Sequence, residues 1–168
     1  MEKDSLIILL VVVGLVMVSA VIQGSKTITG GVVKLGATYE IDAVRVMDEG
    51  RYSVDGTSFS LSYGESKEIL DGALLTHESS LSSGVRFELS GACKNTYVIS
   101  ATYNGVDDSE EEWGEFIVRT NGEKNAQFQL KEGESKALSD GSKITLLDLH
   151  SGSFSGDDRG TNFELVCS

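Results

Sequence analysis

Serine stands beside lysine twice in the same setting, Gly64-Glu65-Ser66-Lys67 and Gly133-Glu134-Ser135-Lys136, and a serine next to an amine is the makings of a nucleophile with its base. The surroundings argue for architecture instead. Each pair falls between two strand-like stretches and is followed by Asp71-Gly72 or Asp140-Gly141. In that setting the Gly turns the chain, Ser and Lys face water, Ile69 or Leu138 points inward, and Asp-Gly makes the next hairpin. Neither Ser-x-x-Lys nor Gly-x-Ser-x-Gly occurs. The two histidines, His77 and His150, sit at the ends of corresponding strand-like segments with no Cys or carboxylate at ligand spacing, so both read as partly exposed strand residues. The acidic run Asp107-Asp108-Ser109-Glu110-Glu111-Glu112 reads first as a solvated loop. Calcium is the livelier reading, with Asp107, Asp108, Asp157 and Asp158 as carboxylate donors, but no Asp-x-Asp-x-Asp-Gly pattern supports it. Trp113, next to the run, reads as a core or loop-anchoring residue, with an exposed contact as the alternative. No catalytic residue and no cofactor is expected.

Composition narrows the partners. The chain has 168 residues, with 14 Lys plus Arg against 26 Asp plus Glu and a net charge of −12. A phosphate backbone finds no basic surface here, so nucleic acid is excluded as a partner. Two His and two Cys are too few for a zinc ribbon or an iron–sulfur cluster.

The elements that would carry these residues begin with an apolar segment. Ser5 to Ser25 are 21 consecutive uncharged residues, and at about 1.5 Å per residue a helix of that length spans roughly the hydrocarbon thickness of a bilayer. Residues 1–25 are therefore expected to form a hydrophobic, transmembrane helix. An uncleaved anchor, a signal peptide cut after Ala20 and the shaft of a pilin-like subunit all fit, and all three export the remainder of the chain. Leu6, Leu10, Gly14, Val18 and Ile22 are the candidate assembly positions on this helix. Ile28 and Val32, in the β-forming stretch Thr27 to Leu35, are candidates for pairing with a sheet edge of the next subunit, the alternative being a first strand paired within the first module.

The rest is organised by a repeat. Gly64 to Gly72 recurs as Gly133 to Gly141 with six of nine positions identical; Phe59 and Leu61 match Phe128 and Leu130, and Thr38-Tyr39-Glu40-Ile41 aligns with Thr96-Tyr97-Val98-Ile99. Phe87-Glu88-Leu89 matches Phe163-Glu164-Leu165 after a seven-residue insertion. Within each copy apolar and polar residues alternate, as in Tyr39 to Val46 and Val85 to Leu89, and Gly-containing turn signals separate the runs. The fold class is thus all-β: two tandem small antiparallel β-sandwich modules, Ig-like in architecture, at 26–91 and 92–168, with about six strands each. Cys93 and Cys167, the two cysteines of the chain, bracket the second module and are expected to form a disulfide in an oxidising compartment. The first module, lacking such a bridge, is expected to unfold first.

The unit of Tyr-x-Ile/Val, a Phe-x-Leu strand, Gly-Glu followed by Asp-Gly, and a closing Phe-Glu-Leu strand resembles a repeat of secreted and S-layer-associated surface proteins of archaea. The N-terminal segment separately resembles the hydrophobic helix of archaeal type IV pilins, although Lys3-Asp4-Ser5 departs from the basic-then-small peptidase site of those proteins. The resemblance implies an extracellular module for display, adhesion or lattice building, with no catalytic residues to carry over. Two functions are expected on this basis. The first is a non-enzymatic structural subunit of a surface layer or pilus-like filament, whose partners are further copies of itself and, through the helix, the membrane. The second is a membrane-tethered adhesin that recognises a surface glycan or a protein.

Overall fold

The computed structural model describes residues 37–168 apart from 92, 94, 106–111, 124 and 152–157. The expected helix at 1–25, the assembly positions Leu6, Leu10, Gly14, Val18, Ile22, Ile28 and Val32, and the carboxylates Asp107, Asp108 and Asp157 lie outside the described residues.

Alternation of apolar and polar residues becomes strands throughout. The first repeat forms β1 (Thr38–Val46), β2 (Glu49–Val54), β3 (Thr57–Leu61), β4 (Ser66–Glu68), β5 (Leu74–Leu81) and β6 (Gly84–Ser90). The second forms β7 (Tyr97–Gly105), β8 (Glu112–Thr120), β9 (Ala126–Leu130), β10 (Ser135–Ala137), β11 (Lys143–Ser151) and β12 (Arg159–Val166). Six strands per repeat agree with the sequence. So does the turn at Asp55-Gly56, where φ of 46° and 82° places both residues in the left-handed region that a two-residue hairpin between β2 and β3 demands. Asp140-Gly141 departs from the expected hairpin: the β10–β11 connection is longer, closed by the Leu138 N–H bonding to the Ser142 carbonyl at 2.7 Å. In the first repeat the same place holds a short 3-10 turn, Leu70–Gly72.

The two repeats do not stand in tandem. One sheet runs in the order β10-β11-β12-β1-β2-β3 and the other β4-β5-β6-β7-β8-β9, so each sheet takes three strands from each repeat. All neighbouring pairs are antiparallel. The seams where the repeats meet are β1 against β12, in register from Thr38↔Val166 to Arg45↔Arg159, and β6 against β7, from Gly84↔Thr102 to Leu89↔Tyr97. The boundary near residue 91 separates two copies of sequence, and both copies belong to one compact unit. The reason is the number of apolar faces. Three strands of one repeat present an inward face that only the facing three strands and their seam neighbours can cover.

Packing follows a pseudo-twofold axis running along the strands, with β1 facing β6, β12 facing β7, β2 facing β5 and β11 facing β8. At the centre lie Phe87, Phe116 and Phe163, all fully buried. Phe87 stacks on Phe163 at 6.4 Å between ring centroids, and Phe116 meets Phe163 edge-on at 5.3 Å. Truncating a ring of this kind to Ala costs about 3–5 kcal/mol.

Cys93 and Cys167 form the expected disulfide, with Cα atoms 5.4 Å apart and a sequence separation of 74. Cys93 follows β6 and Cys167 follows β12, so the bond ties one sheet to the other. It closes the end at which the chain enters β1, where the Cys167 N–H also donates to the Ala37 carbonyl at 2.8 Å. Because β1 to β3 share a sheet with β10 to β12, the bridge supports the first repeat as much as the second, and separate melting of a first module has no structural basis. We predict one cooperative transition in which Trp113 fluorescence, reporting the second repeat, and amide exchange in β2, reporting the first, give the same stability. Replacing both cysteines by Ser lowers that stability by about 4 kcal/mol on the chain-entropy estimate, for both probes together. A first-repeat probe that melts ahead of Trp113 would contradict it.

Candidate functional site

The repeated Gly-Glu-Ser-Lys is absorbed by structure in the same way twice. Gly64 and Gly133 have φ of 77° and 79°, and their N–H groups donate to the carbonyls of His77 and Leu146, each at 2.8 Å. Glu65 closes its turn by accepting the Ser62 N–H at 2.8 Å, and Glu134 accepts that of Lys131 at 2.9 Å. The serine hydroxyls pair across the strands, Ser66 with Thr76 at 2.8 Å and Ser135 with Thr145 at 2.9 Å. Each serine faces a threonine, and both lysines, Lys67 and Lys136, are exposed. This arrangement holds a turn and a cross-strand pair in each repeat.

The aspartate of the Asp-Gly signature has a second task that sequence spacing did not disclose. Asp140 Oδ2 accepts from the Tyr97 hydroxyl at 2.5 Å and from Asn95 at 2.6 Å, and Oδ1 accepts the Ser142 N–H at 3.0 Å. Burial alone would push this carboxyl up, but the hydrogen bonds from Tyr97, Ser142 and Asn95 outweigh it and hold Asp140 below the usual carboxylate range. Burial, followed by the bond to Asp140, pushes the Tyr97 phenol up. Tyr97 belongs to one sheet and Asp140 to a turn of the other, so the pair tethers the sheets near the disulfide.

His77 is fully buried, which corrects its reading as a partly exposed strand residue. Its Nδ1 lies 2.6 Å from the Tyr52 hydroxyl, and burial pulls its pKa down, with Glu49 opposing. The symmetry explains the pair. At the repeat offset of 69, His77 falls on Leu146, and Tyr52 takes the place of Phe116, because Tyr52 lies opposite Ala43 and Phe59 where Phe116 lies opposite Ala101 and Phe128. The steric surroundings match too. A Cβ on Gly50 would collide with Tyr52 and His77, and one on Gly114 would press on Phe116 at 3.0 Å and Leu146 at 3.3 Å. One half of the core is thus closed by an apolar Phe–Leu pair, the other by a hydrogen-bonded Tyr–His pair.

His150 occupies a different place, two ladder steps beyond the bulge of β11, so the two histidines lie on corresponding strands but at unrelated positions. Its Nε2 stands 2.9 Å from Asp42 Oδ1 on the outer face of the sheet. The bond to Asp42 raises the His150 pKa, burial opposes it, and the charges of Asp42 and Asp148 add to the rise. The pair lines a shallow cleft of about 460 Å³ with Arg51, Leu149, Ser151 and Asp158. Asp158, expected as a calcium donor, lies 3.9 Å from Arg51, and among the described residues no group of three or more His, Cys, Asp or Glu is placed to hold a metal ion. Trp113 is half-buried on the outer face of β8, lining a cavity of about 350 Å³ with Gln129, Leu130, Lys131 and Glu134, so it is neither a core residue nor a freely exposed one.

The cleft has a position as well as a chemistry. Arg45 donates to the Ser82 carbonyl at 3.0 Å, which fixes the β1–β2 and β5–β6 hairpins at one end of the sandwich, opposite the disulfide. Both insertions of the second repeat connect strands at that end, 106–111 between β7 and β8 and 152–157 between β11 and β12. In sequence the second of these joins Ser151, next to His150, to Asp158. Such a cleft can bind a small polar group through a His–Asp pair and an arginine.

The histidines generate two predictions. Tyr52→Phe alone strands the buried His77 Nδ1 and destabilises by about 1–3 kcal/mol, whereas Tyr52→Phe with His77→Leu, the pair used by the second repeat, restores most of it; denaturant melts of the four variants measure the coupling. Because the folded pKa of His77 is lowered, stability is full above the unfolded value of about 6.5 and declines as pH falls below it, so the double variant has the flatter acid limb. For His150 the sign reverses: its folded pKa is raised, and the stabilisation is present below the unfolded value and lost as pH rises through the folded one. Asp42→Asn should therefore move the His150 titration, followed by NMR, toward lower pH, with a stability cost under about 1 kcal/mol because the pair is partly solvated. Comparisons with models of protein families, with curated proteins and with solved structures give no match.

Proposed function

We propose that this chain is a non-enzymatic, extracellular structural subunit of a cell-surface layer or pilus-like filament of the archaeal type, held to membrane or filament core by its apolar segment while the β-sandwich projects outward. One observation carries the reading: the repeat-encoded residues are spent on one interleaved sandwich whose two sheets are tied by a buried disulfide. Gly64, Glu65, Ser66 and their partners at 133–135 make turn and cross-strand bonds, Asp140 tethers the sheets, and Cys93–Cys167 closes the end where the chain enters. A disulfide of this kind suits an oxidising, exported location, and the 21 uncharged residues from Ser5 to Ser25 supply a route to it.

A membrane-tethered binding module is the second reading, favoured by the cleft at His150, Asp42, Arg51 and Asp158 and by its place at the end opposite the chain's entry. A glycan or a protein partner suits such a polar cleft. Negative-stain microscopy of material sheared from cells separates the two readings. Filaments or sheets of uniform width that contain this chain are expected; a chain that stays with the membrane fraction as single particles would sink the structural reading and favour the binding module.

A further inference from the structure

Six strands that alternate in direction leave each sheet with edge strands that run opposite ways. In one sheet the edges are β10 and β3, in the other β4 and β9. The chain crosses between the sheets at both rims, from β3 to β4 at one and from β9 to β10 at the other, and β9 packs against β10. One rim therefore shows β3 with β4 and the opposite rim β9 with β10. If a second copy is set beside the first by translation across the strands, β3 meets β10 of that copy and β4 meets β9. Both contacts continue the antiparallel alternation, and both sheets extend at once.

The chemistry of the rims suits that neighbour. Natural edge strands are commonly guarded by charge or Pro, yet β3 reads Thr-Ser-Phe-Ser-Leu and β9 reads Ala-Gln-Phe-Gln-Leu, with neither. The short strands carry Lys67 and Glu68 on β4 and Lys136 on β10. The four edge strands thus hold two lysines and one glutamate in a chain of net charge −12, so the rims are where two such acidic bodies meet without like-charge repulsion. Apolar surface is also open there: Phe59 is only partly buried, Leu70 is 54% exposed, and the two line a cleft of about 250 Å³ between the sheets at the β3–β4 rim. Phe128 is its partly buried counterpart on β9.

We propose that copies of this chain join rim to rim, β3 and β4 of one to β10 and β9 of the next, so that the sandwich continues from subunit to subunit. The contact is heterologous, and a translation does not close on itself, so the product is an open chain. This deepens the structural-subunit reading and rests on it, naming the surface and the partner.

The test uses the full chain in a mild detergent, followed by sedimentation velocity and negative stain. The β3 variant Ser58→Lys/Ser60→Lys and the β9 variant Gln127→Lys/Gln129→Lys put charge at exposed positions on one rim each, and a melting temperature close to that of the parent shows that each still folds. Wild-type chains are expected to form strings that lengthen with concentration. Each variant alone should be monomeric, at the 18.0 kDa chain mass, because every junction needs both rims. An equal mixture of the two variants should form dimers and stop there, since one intact rim of each type remains. Dimers of a single variant would mean like-with-like pairing and overturn the proposal, as would strings that survive both variants or a wild type that stays monomeric. Strings that survive both variants but are abolished by Val32→Pro would assign the contact to residues 27–35 instead. Filaments sheared from cells that are unchanged by the rim variants would reject this contact while leaving the structural reading standing; their absence from cells would reject that reading itself.

Discussion

Everything in this sandwich depends on the two seams at which the repeats pair, β1 with β12 and β6 with β7. Each seam joins the middle of a six-stranded sheet, and the buried aromatic centre of Phe87, Phe116 and Phe163 draws on β6, β8 and β12 at once. A repeat by itself would present two three-stranded half-sheets, each with an apolar face and a bare central edge. Backbone hydrogen bonding and apolar burial therefore demand the same thing, that the second copy complete the first. The disulfide and the Tyr97–Asp140 tether lie at one end of this arrangement and hold the sheets together where the seams begin.

Against that symmetry the differences between the repeats become informative. Tyr52 and His77 stand where Phe116 and Leu146 stand in the other half, Ser142 stands where Ala73 does, and the insertions at 106–111 and 152–157 belong to the second repeat alone. Substitutions in the core exchange one way of filling a volume for another: the hydroxyl of Tyr52 is paired with His77 and that of Ser142 with Tyr97, whereas the buried Thr161 hydroxyl, at the place of Val85, has no hydrogen-bond partner among the described residues. The insertions are of another kind, since they connect strands at the end remote from the disulfide. Divergence between the copies thus gives the sandwich one closed end and one elaborated end.

The rims of the sandwich carry few charges: none on β3 and β9, Lys67 and Glu68 on β4, and Lys136 on β10.

The longer strands, their approximate number and the turn at Asp55-Gly56 were written in the sequence, whereas the short edge strands β4 and β10 and the turns at Asp71-Gly72 and Asp140-Gly141 were not. Alternation at Val85 to Leu89 and the left-handed demand at Asp55-Gly56 are local physics, expressed within a few residues. The cysteine pair was legible because the chain has only two, and the repeat was legible because Gly, Glu and Ser each do the same local task in both copies. Which strands share a sheet was settled by tertiary packing alone. Two tandem sandwiches and one interleaved sandwich use the same strands in the same order. They differ solely in which backbone edges meet, Thr38 with Val166 for instance, a choice made by the collective burial of faces that no local pattern records. The same holds for the site. His77 was visible as the counterpart of Leu146 once the offset of 69 was applied, whereas its burial, its bond to Tyr52 and the meeting of His150 with Asp42, 108 residues away in sequence, exist only because the sheets bring distant strands to one face.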